Sequence, residues 1–149
     1  MVLKLGMIAV GILLFSACDM SVPPHPPRPP LLVNVTAGSG WWGACPPATN
    51  TEAQMIQTSG KLALSPELDQ RLLNEFPPRS NESRIIEALI KQGFEMLPPC
   101  KTDQAIHRAG SMQHEGGGLT YRIRADVFWK VDQSNAIVWT KGFVAYDGL

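Results

Sequence analysis

Between Tyr121 and Asp132 apolar and polar positions alternate. Tyr121, Ile123, Ala125, Val127, Trp129 and Val131 interleave with Arg122, Arg124, Asp126, Phe128, Lys130 and Asp132. A period of two places the first set on one face of a strand, and that face is apolar. Asp132-Gln133-Ser134-Asn135 has the chemistry of a turn. Ala136 to Tyr146 then reads as the partner strand, with Ile137, Trp139, Phe143 and Ala145 on one face. The pattern predicts a long antiparallel hairpin at the C-terminal end. Lys141 is the only cation in its second strand, which is little protection for an open edge. That strand is therefore expected inside the sheet, or at an edge that a partner's strand completes.

Upstream the period changes to that of helices. Ser65-Pro66-Glu67 supplies an N-cap, a proline at the first helical position and an acid in the first turn. Leu68, Leu72 and Phe76, with Leu73 beside them, form an apolar stripe that Pro77-Pro78 ends. Ser80-Asn81-Glu82 opens a second helix whose buried face is read as Ile85, Ile86, Leu89 and Ile90. Gly93 is placed to end it in the left-handed conformation, and Phe94 to Leu97 then alternates as a strand. Three shorter readings complete the domain: a strand over Leu31 to Thr36, a short helix over Thr102 to Ala109, and a loop from Gly110 to Gly118. A weak capping box at Thr51-Glu52-Ala53-Gln54 precedes an ambiguous segment. Two helices with antiparallel strands predict an α+β fold, a small two-layer sandwich with helices packed on the sheet.

The first thirty residues are of another kind. Lys4 precedes an apolar block from Leu5 to Ala17, which is shorter than the about 20 residues a membrane-spanning helix needs. It ends in Phe15-Ser16-Ala17-Cys18, which resembles the lipobox of bacterial lipoproteins, with Phe15 where leucine is usual. The resemblance implies cleavage before Cys18 and attachment of diacylglycerol to its sulfur. Two or three acyl chains there would hold the protein to a membrane, since one chain binds only marginally. Asp19 resembles the inner-membrane retention signal of enteric bacteria, so the inner membrane is favoured with the leaflet left open. Ser21 to Pro30 carries three proline pairs and reads as a polyproline II spacer of roughly 25 to 30 Å. The expected organisation is a signal peptide over 1–17, an anchor and linker over 18–40, and one globular domain over 41–149.

An odd cysteine count calls for an explanation, and lipidation of Cys18 supplies it. Cys45 and Cys100, each flanked by a proline pair, remain for a disulfide in a compartment that permits one. Neither has the C-x-x-C spacing of a redox enzyme or zinc ribbon. Trp41 and Trp42 stand next to Cys45, so that one indole is expected against the disulfide and the other exposed. Thirteen basic and thirteen acidic residues balance, with no basic block, which argues against nucleic acid as a partner.

Chemistry is sparse. No Gly-x-Ser-x-Gly occurs, and a serine nucleophile would need a base and an orienter. Asp103, His107, His114 and Glu115 lie close in sequence, and Asp103 and His107 would share one face of the short helix. His107, His114 and Glu115 are thus the candidate metal ligands, against which stands the lack of a His-Glu-x-x-His pattern. No catalytic residue and no cofactor is read. The run Ala88-Leu89-Ile90-Lys91-Gln92-Gly93-Phe94, with Phe76-Pro77-Pro78 before it, resembles small accessory lipoproteins of conjugative secretion systems over about thirty residues. Two functions are expected. The first is a non-enzymatic, lipid-anchored, periplasm-facing component that docks on another envelope protein of an assembly, secretion or conjugation complex. The alternative is a hydrolase or metal-binding lipoprotein presented on a stalk.

Overall fold

The structure is a computed structural model and describes residues 28–36, 45, 65–115 and 121–147, without the side chains of 113–115, 121 and 147. The leader with Cys18, the tryptophans Trp41 and Trp42, the segment around Thr51 and the triple glycine after Glu115 lie outside these residues. Two helices, α1 (Pro66–Glu75) and α2 (Glu82–Lys91), precede four strands: β1 (Glu95–Leu97), β2 (Ile106–Glu115), β3 (Tyr121–Val131) and β4 (Ile137–Asp147). The strands form one antiparallel sheet in the order β1-β2-β3-β4, and the helices cover one of its faces. The fold is α+β, helices on an antiparallel sheet with a long C-terminal hairpin, as the periodicity predicts. Among the described residues no helix is long and apolar enough to cross a membrane.

The helix signals act as read. Ser65 Oγ accepts the Leu68 N–H at 3.3 Å, and Asn81 Oδ1 accepts the Ser83 N–H at 2.9 Å. Gly93 has φ +81°, and the Phe94 N–H returns to the Leu89 carbonyl at 2.9 Å, closing a Schellman-type end. That turn directs the chain into β1. Leu68, Leu72, Phe76, Ile85 and Leu89 pack on Ala125, Val127, Trp129 and Val144 of the sheet. Leu73 and Ile90, expected in the buried stripes, are 48% and 56% exposed. A helix resting on a flat sheet buries a narrower stripe than the apolar spacing offers.

Three local readings are corrected. Leu31 to Thr36 is not a strand: Pro30–Leu32 is a 3₁₀ turn that seats Leu31 and Leu32 in the core. The Leu32 N–H donates to the Pro29 carbonyl at 2.8 Å, and side chains hold the rest, with Arg71 donating to the Leu31 carbonyl at 2.9 Å and the Leu31 N–H donating to Gln92 at 2.9 Å. Thr102 to Ala109 is not a helix, and Gly110 does not open a loop, because β2 runs from Ile106 through Glu115 in register with β3. An isolated helix that short is marginal, whereas pairing with the long β3 satisfies every second backbone group of β2. Finally, the apolar positions of β4 do not share one face. The register passes from Lys130 opposite Trp139 to Val131 opposite Ile137, so Val138 is an extra, bulged residue. Ile137 joins the helix-side core, whereas Trp139 and Phe143 join a second cluster on the other face.

That second cluster contains Cys100, Ile106, Phe128 and Phe143, with Cys45 and Trp139 against it. Phe128 and Phe143 meet edge to face, with ring centroids 5.9 Å apart. Cys45 and Cys100 are in disulfide geometry, their Cα atoms 5.5 Å apart. The face of β3 that alternation marks as polar is therefore apolar at one end and buried under the cystine.

Candidate functional site

The N-terminus of α2 is tied to the β3–β4 turn. The Glu82 N–H donates to the Asn135 carbonyl at 3.0 Å, and the Ile137 N–H donates to the Ser80 carbonyl at 2.8 Å. This places Glu82, the first residue of α2, over the helix side of the sheet and nearly buried. Its Oε1 accepts the indole N–H of Trp129 at 2.9 Å and also meets Nδ1 of His107. His107 and Trp129 face each other across β2 and β3, and their rings contact at 5.8 Å and 68°. The carboxylate thus orients the imidazole through Nδ1, and the half-buried ring keeps Nε2 for another partner. That is the base and orienter of a hydrolytic triad, but among the described residues no hydroxyl or thiol is bonded to His107. The shared Trp129 bond makes the group a tie between the layers.

The remaining metal candidates are dispersed. Asp103 is bound by Lys130 Nζ at 2.9 Å and by the Ala105 N–H at 3.0 Å. The Lys130 hydrogen bond leads in holding its carboxyl below the ordinary range. Asp103 and His107 lose the shared helix face that was to unite them. His114 lies seven residues beyond His107 in one extended strand, about 23 Å away at the rise of a strand, and Glu115 follows it. Among the described residues no three His, Cys, Asp or Glu side chains gather as a metal site.

Sequence reading passed over two polar features. Asp126 is 2% exposed on the face opposite the helices, where Arg124 grips it through Nε at 2.7 Å and Nη2 at 3.2 Å. Burial pushes its carboxyl above the ordinary range, against the pull of Arg124. No sequence signal separates this aspartate from a solvated one, since burial depends on what covers that face.

The second feature is at β4, which is an edge strand. Its outward backbone groups at Ile137 and Gly142 are taken by its own chain. The Gly142 carbonyl accepts the Ser65 N–H at 3.3 Å, and its N–H donates to Asp69 Oδ1 at 3.0 Å. The Ile137 carbonyl accepts the Arg79 N–H at 2.7 Å. The strand is thus neither central nor open for a partner's strand along its first half: the starts of both helices guard it. Between the two clamps a cleft of about 330 Å³ opens, with Leu73, Val138, Trp139 and Thr140 among its lining residues. Comparison with family models, with curated proteins and with solved structures finds no match to this chain.

Proposed function

We propose that the protein is a lipid-anchored, periplasm-facing component of the bacterial cell envelope that acts by docking on another envelope protein. The observation that carries the reading is the disulfide geometry of Cys45 and Cys100. A cystine belongs in an oxidising compartment. It also leaves Cys18, the cysteine that follows the apolar leader, as the lipidation residue. The proline pairs between Cys18 and the 3₁₀ turn then serve as a stalk that lifts the sheet off the lipid. A docking role without chemistry is supported by ionic groups of the domain that are taken up in holding it together: Glu82, Asp103 and Asp69 each hold a partner that fastens one segment to another, and Asp126 is held by Arg124 of its own strand.

Labelling cells with radioactive palmitate and separating their membranes tests the anchor. Label is expected on the wild type and absent from Cys18→Ser, which accumulates as precursor or as soluble periplasmic protein. An unlabelled wild type, with Cys18→Ser still in the membrane, would overturn the reading.

A further inference from the structure

We propose that the second half of β2 is the pairing edge of a homodimer, in which a second copy of this chain lies antiparallel along it and joins the two sheets. The inference goes beyond the docking reading and takes from it only that both copies are anchored in one membrane. β1 begins at Glu95, opposite Gly110, because the Gly93 turn brings the chain down from α2 there. Past Gly110, β2 runs on to Glu115 with β3 on one side and, among the described residues, no strand on the other. On that open side the Ile106 carbonyl accepts the Cys100 N–H at 2.9 Å. Backbone groups of a strand alternate in direction, so Met112 and His114 also turn their N–H and C=O away from β3. Among the described residues nothing bonds these groups. The Met112 side chain is 52% exposed, so the edge is uncovered on the face opposite the helices as well.

Symmetry and charge select the occupant. A two-fold axis through Gln113 sets Met112 of each copy opposite His114 of the other. Those are the residues whose backbone groups point outward, and each exchanges both of them with its opposite number. On the face opposite the helices Glu95, Gly110 and Asp126 share one cross-strand row, and Arg122 lies on the same face of β3. Arg124 is committed to Asp126, whereas Glu95 and Arg122 are exposed and, among the described residues, no ion pair engages either. The axis brings Arg122 of the second copy into the strand position beside Glu95 and two residues along from it, a diagonal that long side chains span. The same pair recurs on the other side of the axis. A cation and an anion left single in the monomer thus meet by symmetry, which an unrelated strand would match only by its own sequence. The stalks agree with this arrangement. The Leu31 N–H is held by Gln92, the residue before Gly93, so both stalks leave the helix side close to the axis and reach one bilayer. Anchoring there raises the effective concentration of the copies, which lets a short edge suffice.

The test places a photoreactive phenylalanine analogue at Met112 of the full chain in its native membranes. The expected result is an adduct of twice the chain's mass, whose crosslinked peptide comes from β2 or β3 of the second copy. Glu95→Arg and Arg122→Glu should each lower its yield about tenfold, and the two together should restore it. His114→Pro should abolish the adduct and leave the melting temperature unchanged, because that N–H bonds nothing within the monomer. An adduct with a different protein would overturn the homodimer and leave the docking reading standing. A self-adduct indifferent to all of these variants would overturn this edge. No adduct would overturn the dimer, and palmitate label on the same sample shows whether the anchor stands without it.

Discussion

The carboxylate of Glu82 accepts the indole N–H of Trp129 at 2.9 Å, across 47 residues of chain. It joins the first turn of α2 to the middle of the sheet, where both side chains are buried. Glu82→Leu leaves a buried indole donor without an acceptor, which costs about 1–3 kcal/mol. Glu82→Gln keeps an acceptor oxygen and should cost less. A double-mutant cycle with Trp129→Phe, read by urea unfolding, should show a coupling above about 0.5 kcal/mol. Additive losses would mean that the bond contributes nothing to holding the layers together.

Gly142 sits where Leu68 presses on β4. A Cβ there would collide with Leu68 Cγ and lie 2.7 Å from Cδ2. The backbone cannot retreat, because both Gly142 groups are bonded to the start of α1. Gly142→Ala should therefore destabilise by about 1–3 kcal/mol, as overpacking does. A thermal melt unchanged from wild type would show that α1 is free to shift off the edge.

Reduction of the cystine should loosen the face opposite the helices. Cys45 and Cys100 are 55 residues apart, and closing a loop of that length stabilises by about 4 kcal/mol in the chain-entropy model. That is a large part of the about 5–15 kcal/mol of a typical domain. The Cys45→Ala, Cys100→Ala double variant should melt lower and lose near-ultraviolet signal from Phe128, Phe143 and Trp139, which pack by the bond. Recovery of two freely alkylated thiols from the native, oxidised protein would contradict the pairing.

Asp126 sets a pH dependence of known sign. Its carboxyl titrates above the ordinary value because burial disfavours the charge. The folded state then holds this proton more tightly than the unfolded chain does. The contribution is complete below about pH 3.9, the unfolded value, and is lost as pH rises through the higher folded value. Asp126→Asn has no such loss, so its stability relative to wild type should climb with pH across that window and level off above it. A relative stability that falls with rising pH would show that the Arg124 pair outweighs burial.

The hairpin, both helix starts, the Gly93 turn and the pairing of the two proline-flanked cysteines were legible in the chain. Each rests on local chemistry: alternation that matches a strand, a capping hydroxyl or amide, a residue without Cβ, or thiols with few alternatives. What failed had no local determinant. The stretch from Thr102 to Glu115 carries mixed signals, and β3, available only in the folded chain, decided it as a strand and thereby separated His107 from His114. The same holds for Glu82, Asp126 and Val138. A carboxylate at a helix start reads as a solvated cap residue until Trp129 arrives from 47 positions away. A single extra residue in β4 shifts which side chains share a face, and only the register with β3 reveals it. The sequence determined the two helices, the Gly93 turn and the C-terminal hairpin, because their causes lie within a few residues. Tertiary structure decided which polar groups are buried together and where the edge stays open, because those depend on pairings between distant segments.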